Sequence, residues 1–232
     1  MANNSKNDLH GVRACVFDAY GTLFNFADAT ERCRGEIGEK TGALTEIWRT
    51  KQLQYSWLRS LMGYHVDFWQ VTCDALDHAL EALDLGGPDL REHLLTLYME
   101  LDPYPEVKSV LHALRGAEVQ TAILSNGSPS MLASAVGSAG IESMLDEVIS
   151  AEDVGVFKPH PNVYKLVQAR LGIPPAEVAY QSANGWDACA AAAFGFKAIW
   201  VNRSGQPFER IPDKPLLELS SLEELPKLVG AT

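Results

Sequence analysis

A chain of 232 residues, 47% hydrophobic and 21% charged, carries enough apolar surface to bury a substantial core, as one large domain or as a domain with a smaller insertion. Its formal net charge of −11, without a basic stripe, excludes an ordinary nucleic-acid binder and means that an anionic ligand must be held by a few local cations. No segment is long and apolar enough to span a bilayer, the opening "MANNSKNDLHG" lacks the apolar core of a signal sequence, and the cysteines at 15, 33, 73 and 189 show neither CxxC nor zinc-ligand spacing, so free thiols in a reducing cytoplasm are expected.

The first apolar run, "VRACVFD" (12–18), ends at an aspartate. From about 25 to 100 the pattern is helical with no convincing strand: "ALTEIWRTKQLQYSWLRSLM" (43–62), then "DFWQVTCDALDHALEALDLGG" (67–87) with a Gly-Gly stop, then "DLREHLLTLYMEL" (89–101) ending before Pro103. Further apolar runs follow at "VQTAILSNG" (119–127), "EVAYQSANG" (177–185) and "FKAIWVNR" (196–203), with helical patterns at 128–139, 161–171 and 186–194. After about 204 the chain has scattered prolines and one short helix near 221–229. Alternating strands and helices predict an α/β fold with a parallel sheet and helices on both faces, interrupted by a helical insertion. Ligands in such folds bind at the carboxyl ends of the strands, where Asp18, Ser125 and Ser182 fall.

Each of these polar residues has two readings. Asp18 is either a turn-forming aspartate or a nucleophile oriented by the flexible Gly21 and the hydroxyl of Thr22. Ser125-Asn126-Gly127 is a turn signal or, beside Asp18, an anion cradle ahead of a helix. Lys158 precedes a helix that starts near Pro161, where the dipole disfavours a cation; it is a solvated surface group, or it neutralises Asp18 and an anionic substrate. Asp187 suits a first helical turn in its own right, but with Ser182 and Asn184 it forms a polar triplet able to hold a water. On the 43–62 helix, Leu44, Ile47, Trp48, Tyr55, Leu58 and Met62 share one face, and Arg49 groups with Leu53 and Trp57 on the other. Arg49 either faces a cleft, covers apolar surface with its stem, or lies in a dimer interface.

The segments "FDAYGT", "IWRTKQLQYSWLRSLM", "LSNGSP", "FKPHPNVY" and "SANGWD", spread over residues 12–203, together resemble the haloacid dehalogenase superfamily and, more narrowly, the L-2-haloacid dehalogenases. The aspartate strand, the Ser/Thr strand and the Lys-Pro element are superfamily-wide; "AYGTLF", the tryptophan-arginine helix and "SANGWD" are narrower. The resemblance implies a Rossmann-like core domain (1–24 and 101–232) and an inserted α-helical cap domain (25–100). It implies hydrolysis of short-chain L-2-haloalkanoic acids to D-2-hydroxyalkanoic acids and halide through an ester at Asp18, with no cofactor and no metal. Arg49 and Asn126 would receive the halide, while Ser125, Lys158 and nearby backbone N–H groups would hold the substrate carboxylate. Ser182, Asn184 and Asp187 would position and activate water, Thr22 and Tyr164 would support them, and Ala19, Tyr20, Leu53, Phe68 and Trp186 would line the substrate pocket. A homodimer is implied as well.

Phosphatases of that superfamily carry a second aspartate two residues after the nucleophile, to protonate a leaving alcohol, and further acids for Mg²⁺. Here the position holds Tyr20, and the last motif supplies only Asp187 with Gln181, Ser182 and Asn184 around it. Asn25 stands where an acid is common. A halide leaves as a stable anion and needs no general acid. The alternatives are a Mg²⁺-dependent phosphatase or phosphonate hydrolase, against which Tyr20 argues, and a non-catalytic relative, which would be expected to lack Asp18 or Lys158.

Overall fold

The computed structural model describes residues 9–231; most of the polar opening segment, read above as lacking a signal core, lies outside the described residues. Six strands, β1 (Ala14–Phe17), β2 (Gln120–Ser125), β3 (Glu147–Ser150), β4 (Val178–Ser182), β5 (Lys197–Val201) and β6 (Leu217–Leu219), form one parallel sheet in the order β3-β2-β1-β4-β5-β6. Every residue of β1 is buried, which is why this strand reads as a continuous apolar run and not as an alternation. Ala14 pairs with Gln120 on one side and Val178 on the other. The chain therefore leaves β1 in one direction and returns to its other edge at β4, and the crevice at this switch point is where such sheets bind ligands.

Four helices cover the sheet: α6 (Val107–Gly116), α7 (Pro129–Ala139), α8 (Pro161–Leu171) and α9 (Gly185–Phe194). Right-handed crossovers put α6 and α7 on one face and α8 and α9 on the other; α8 packs on α9, and the terminal α10 (Leu225–Leu228) packs on α6. Local chemistry fixes their starts. Ser128 accepts the amide of Met131 ahead of Pro129, and the His160 ring accepts the amide of Asn162 ahead of Pro161.

Five helices lie between β1 and α6: α1 (Asp28–Arg32), α2 (Arg34–Ile37), α3 (Thr41–Met62), α4 (Phe68–Ala82) and α5 (Pro88–Met99). The chain enters and leaves this block at one place. The amide of Asn25 donates to the carbonyl of Asp102 at 3.1 Å, and that of Tyr104 donates to Leu23 at 2.9 Å.

Several sequence expectations need correction. On α3 the buried stripe is Leu44, Trp48, Gln52 and Ser56, whereas Leu58 and Met62 are exposed. Hydrophobic periodicity fails there because Gln52 is fully partnered: its amide donates to Thr72 and Tyr98 and its carbonyl accepts from Arg49, so burying a polar side chain carries little penalty. The Gly-Gly pair does not stop α4, which ends at Ala82; the turn is made by Asp84 at φ 49°, and Gly87 precedes α5. The terminal helix covers only 225–228. Sequence patterning assigned no element to β3, β6, α1, α2 or α6.

Candidate active site

The site grows from the end of β1. The amide of Asp18 extends the ladder to the carbonyl of Gln181, and the chain then turns back so that Ala19 accepts the amides of Leu23 and Phe24. Gly21 sits at φ +90°, a conformation in which a side chain is strained. This turn aims the Thr22 hydroxyl back at Asp18: it donates to Oδ2 at 3.2 Å and accepts the amide of Ala183 at 2.8 Å, which ties β1 to β4.

The Asp18 carboxylate is 6% exposed and has three donors. Lys158 Nζ donates to Oδ1 at 2.9 Å, while Asn184 Nδ2 at 2.9 Å and Thr22 donate to Oδ2. Lys158, 1% exposed, also donates to Asp187 Oδ2 at 3.1 Å, so one ammonium bridges two buried carboxylates. Two of its three N–H donors are thereby used. Asp187 also accepts from Tyr164 at 2.7 Å on Oδ1 and from Tyr180 at 2.9 Å on Oδ2. Burial raises the Asp187 pKa and the charge of Asp18 raises it further, while Lys158 and the hydroxyls of Tyr164 and Ser182 act in the opposite direction. Burial and the same carboxylates push the Tyr164 and Tyr180 hydroxyls well above their ordinary range, so both remain O–H donors.

Around this cluster, Ser125 Oγ accepts the amide of Gly127 and Asn126 Oδ1 accepts the amide of Lys158, each from the buried end of β2. Among the described residues, the O–H of Ser125 and the amide nitrogen of Asn126 remain for other partners. Arg49 reaches over from α3: one nitrogen donates to Asn184 Oδ1 at 3.2 Å and another to Gln52 at 2.6 Å, with the guanidinium over the Phe26 ring. Tyr20 stacks on Tyr98 at 5.4 Å and lies 6.4 Å from Phe68. Its hydroxyl is buried and has no partner among the described residues. Gly127 permits that approach, since a Cβ there would come within 3.0 Å of the Tyr20 ring. Leu53 is half-buried on α3. Trp186 packs edge-on against Trp57 at 5.3 Å and lines an apolar groove of about 610 Å³ with Leu61 and Phe157. Gln181 contributes only its backbone, because strand alternation turns its side chain to the face opposite Ser182.

The structure thus brings Asp18, Thr22, Lys158, Tyr164, Asn184 and Asp187 into one hydrogen-bonded cluster, with Arg49 joined through Asn184 and Ser182 through Asp187. Sequence reasoning missed Tyr180, Gln52 and Tyr98. Tyr180 shares a strand face with Ser182, and Gln52 is one turn from Arg49; those spacings were the available signals. The arrangement can perform nucleophilic displacement by a carboxylate, because Asp18 is fixed beside one spare ammonium N–H and an apolar wall.

The sequence model of the family described as haloacid dehalogenase-like hydrolase matches residues 12–195. The chain is 44% identical to (S)-2-haloacid dehalogenase 1 of Pseudomonas sp. strain CBS-3, over 94% of this chain and 96% of that protein. It is 47% identical to the (S)-2-haloacid dehalogenase of Xanthobacter autotrophicus, over 84% and 77% respectively. Among solved structures, that of the L-2-haloacid dehalogenase from Xanthobacter autotrophicus with chloropropionic acid covalently bound superposes with a TM-score of 0.88 at 37% identity, covering 94% of this chain and 98% of that one.

Proposed function

As the chain belongs to the haloacid dehalogenase-like hydrolases, we infer that it hydrolyses short-chain L-2-haloalkanoic acids to D-2-hydroxyalkanoic acids and halide through an ester at Asp18. The observation that carries this reading is the Asp18 carboxylate itself, buried and held by hydrogen bonds from Lys158, Thr22 and Asn184, with Tyr20 where a general acid would stand.

Oδ2 of Asp18 accepts two hydrogen bonds and Oδ1 one, so Oδ1 is the freer nucleophile. It attacks C2 opposite the halogen; the new C–O bond forms as the carbon–halogen bond breaks, with inversion, and halide departs toward the unused N–H groups of Arg49 and Asn126. The third Lys158 N–H and the Ser125 hydroxyl hold the substrate carboxylate. Oδ2 then becomes the ester carbonyl, already facing the donors of Thr22 and Asn184, which stabilise the oxyanion formed when water adds. Asp187 takes one proton from that water and returns it to the oxygen of the departing hydroxyacid; the second water proton, left on the Asp18 carboxyl, is lost to solvent, which restores the carboxylate. Tyr20, Leu53, Phe68 and Trp186, with Ala19, line the side-chain end of the pocket.

We further propose that residues 25–100 act as a cap domain on a core of 1–24 and 101–232, supported by the contact of Arg49 with Asn184, and that the protein is a homodimer. All four cysteines are unpaired, which suits a reducing cytoplasm.

Halide release from L- and D-2-chloropropionate, with and without EDTA, tests the reading. The L isomer alone should react, giving the D-hydroxyacid at a rate that EDTA leaves unchanged. In a single turnover in ¹⁸O water the label should enter Asp18 and not the product. Strict Mg²⁺ dependence, retention of configuration, or label in the first product would overturn it.

A further inference from the structure

Cys33 closes α1, Glu36 lies on α2 and His93 lies on α5, which packs against α1. None of the three takes part in the hydrolysis described above. Cys33 Sγ lies 3.6 Å from His93 Nδ1, and the same nitrogen lies 3.2 Å from Glu36 Oε1. The three donor atoms are all within 4.8 Å of one another.

One ring nitrogen therefore faces both a thiol and a carboxylate. A neutral imidazole nitrogen is a donor or an acceptor, never both. As an acceptor it takes the thiol proton but turns its lone pair on the carboxylate. As a donor it serves the carboxylate, and the thiol sulfur is left as at most a weak second acceptor of the same N–H. A cation would engage all three groups at once, because all three atoms can direct lone pairs at one point. The spacings agree. A tetrahedral ion with a metal–sulfur bond of about 2.3 Å and metal–nitrogen and metal–oxygen bonds near 2.1 Å places sulfur and nitrogen about 3.6 Å apart, and nitrogen and oxygen about 3.4 Å apart.

We propose that Cys33, Glu36 and His93 form a binding site for a divalent cation of borderline softness, Zn(II) or its congener Co(II), with the fourth position open to solvent. The ligand set suits that class: a thiolate, an imidazole and a carboxylate. The thiolate and carboxylate together neutralise the ion. His93 and Glu36 are 48% and 52% exposed and admit it, while Cys33, 1% exposed, forms the floor. Burial and Glu36 raise the thiol pKa, so the metal-free protein keeps the proton and binding releases it. No linear metal motif announces the site, because its ligands come from two parts of the chain some sixty residues apart. The bound ion ties the first helices of the insertion to its last one.

Chelator-treated full-length protein is titrated with Co(II), then with Zn(II). One equivalent of Co(II) should give a near-ultraviolet thiolate-to-metal absorption band that Zn(II) abolishes, and Zn(II) should raise the melting temperature. Cys33→Ser should remove the band. His93→Ala and Glu36→Gln, both at half-exposed positions, should fold normally and weaken Zn(II) binding by roughly tenfold or more. Halide release should be the same with and without Zn(II), which separates this test from that of the hydrolytic function. No band in the wild type, a band that survives in Cys33→Ser, or unchanged Zn(II) affinity in the other two variants would refute the site.

Discussion

Lys158 stands between two buried carboxylates that would otherwise repel each other. Removing one member of such a buried cluster leaves an uncompensated charge and costs about 3–5 kcal/mol, so the cluster is stable only as a unit. The Asp187 pKa is raised by burial and by Asp18, and the hydroxyl of Tyr164 is one of the groups opposing that rise. If Asp187 accepts the water proton, turnover is lost as pH falls through its pKa. Tyr164→Phe deletes a donor to the charged form, so the pKa rises further and the acid limb of the rate profile moves to higher pH. A pH–kcat profile checks this; a limb that stays in place or moves down removes Asp187 from the base role. Asp18, Ser125, Lys158 and Ser182 were legible in the sequence because strand ends and helix starts are marked by abrupt changes from apolar to polar residues. Tyr180 was not, because a strand tyrosine reads as core, and only the fold shows its hydroxyl meeting Asp187.

Among the elements, α4 shows how a local signal serves the site. The side chain of Asp67 accepts the amide of Gln70 at 2.7 Å and so sets the first turn, which carries Phe68 toward Tyr20. Asp67→Ala should cost about 1 kcal/mol, a fall in melting temperature of roughly 2–4 °C for a chain of this size, with kcat nearly unchanged; thermal melts and a halide assay measure both. Long elements with a consistent period were readable in advance: α3, α7, α8 and the central strands. β3, "EVIS", has only two apolar residues in four and β6 has three residues in all, so neither shows the apolar run of the equally short β1. α6 buries Val107, Val110, Leu111 and Leu114 at helical spacing, a pattern the sequence displayed and the reading passed over. The face of α3 was misjudged because burial there follows satisfied hydrogen bonds and not hydrophobicity.

At the scale of the whole molecule, Leu58, Leu61, Met62 and Tyr64 stand exposed at the end of α3, with Leu61 at 84%. Contiguous apolar exposure of this kind marks interfaces, and it is the surface on which the proposed second copy would sit. Leu61→Arg should convert a dimer to a monomer in light scattering while halide release persists; a wild-type monomer would end the proposal. The paired entry and exit of the helical block carries a further consequence, for the order in which the chain folds. β1 pairs with β2 more than a hundred residues away, a contact whose closure entropy grows as the logarithm of the intervening length. Once α1–α5 have packed on one another and Asn25 has met Asp102, the effective loop is only about thirty residues, which lowers that entropic barrier by roughly 1 kcal/mol. The insertion thus acts as its own scaffold for the sheet it interrupts: the slow, non-local pairing follows the fast, local one, and substitutions that loosen the α3–α4 packing retard formation of a sheet they never touch.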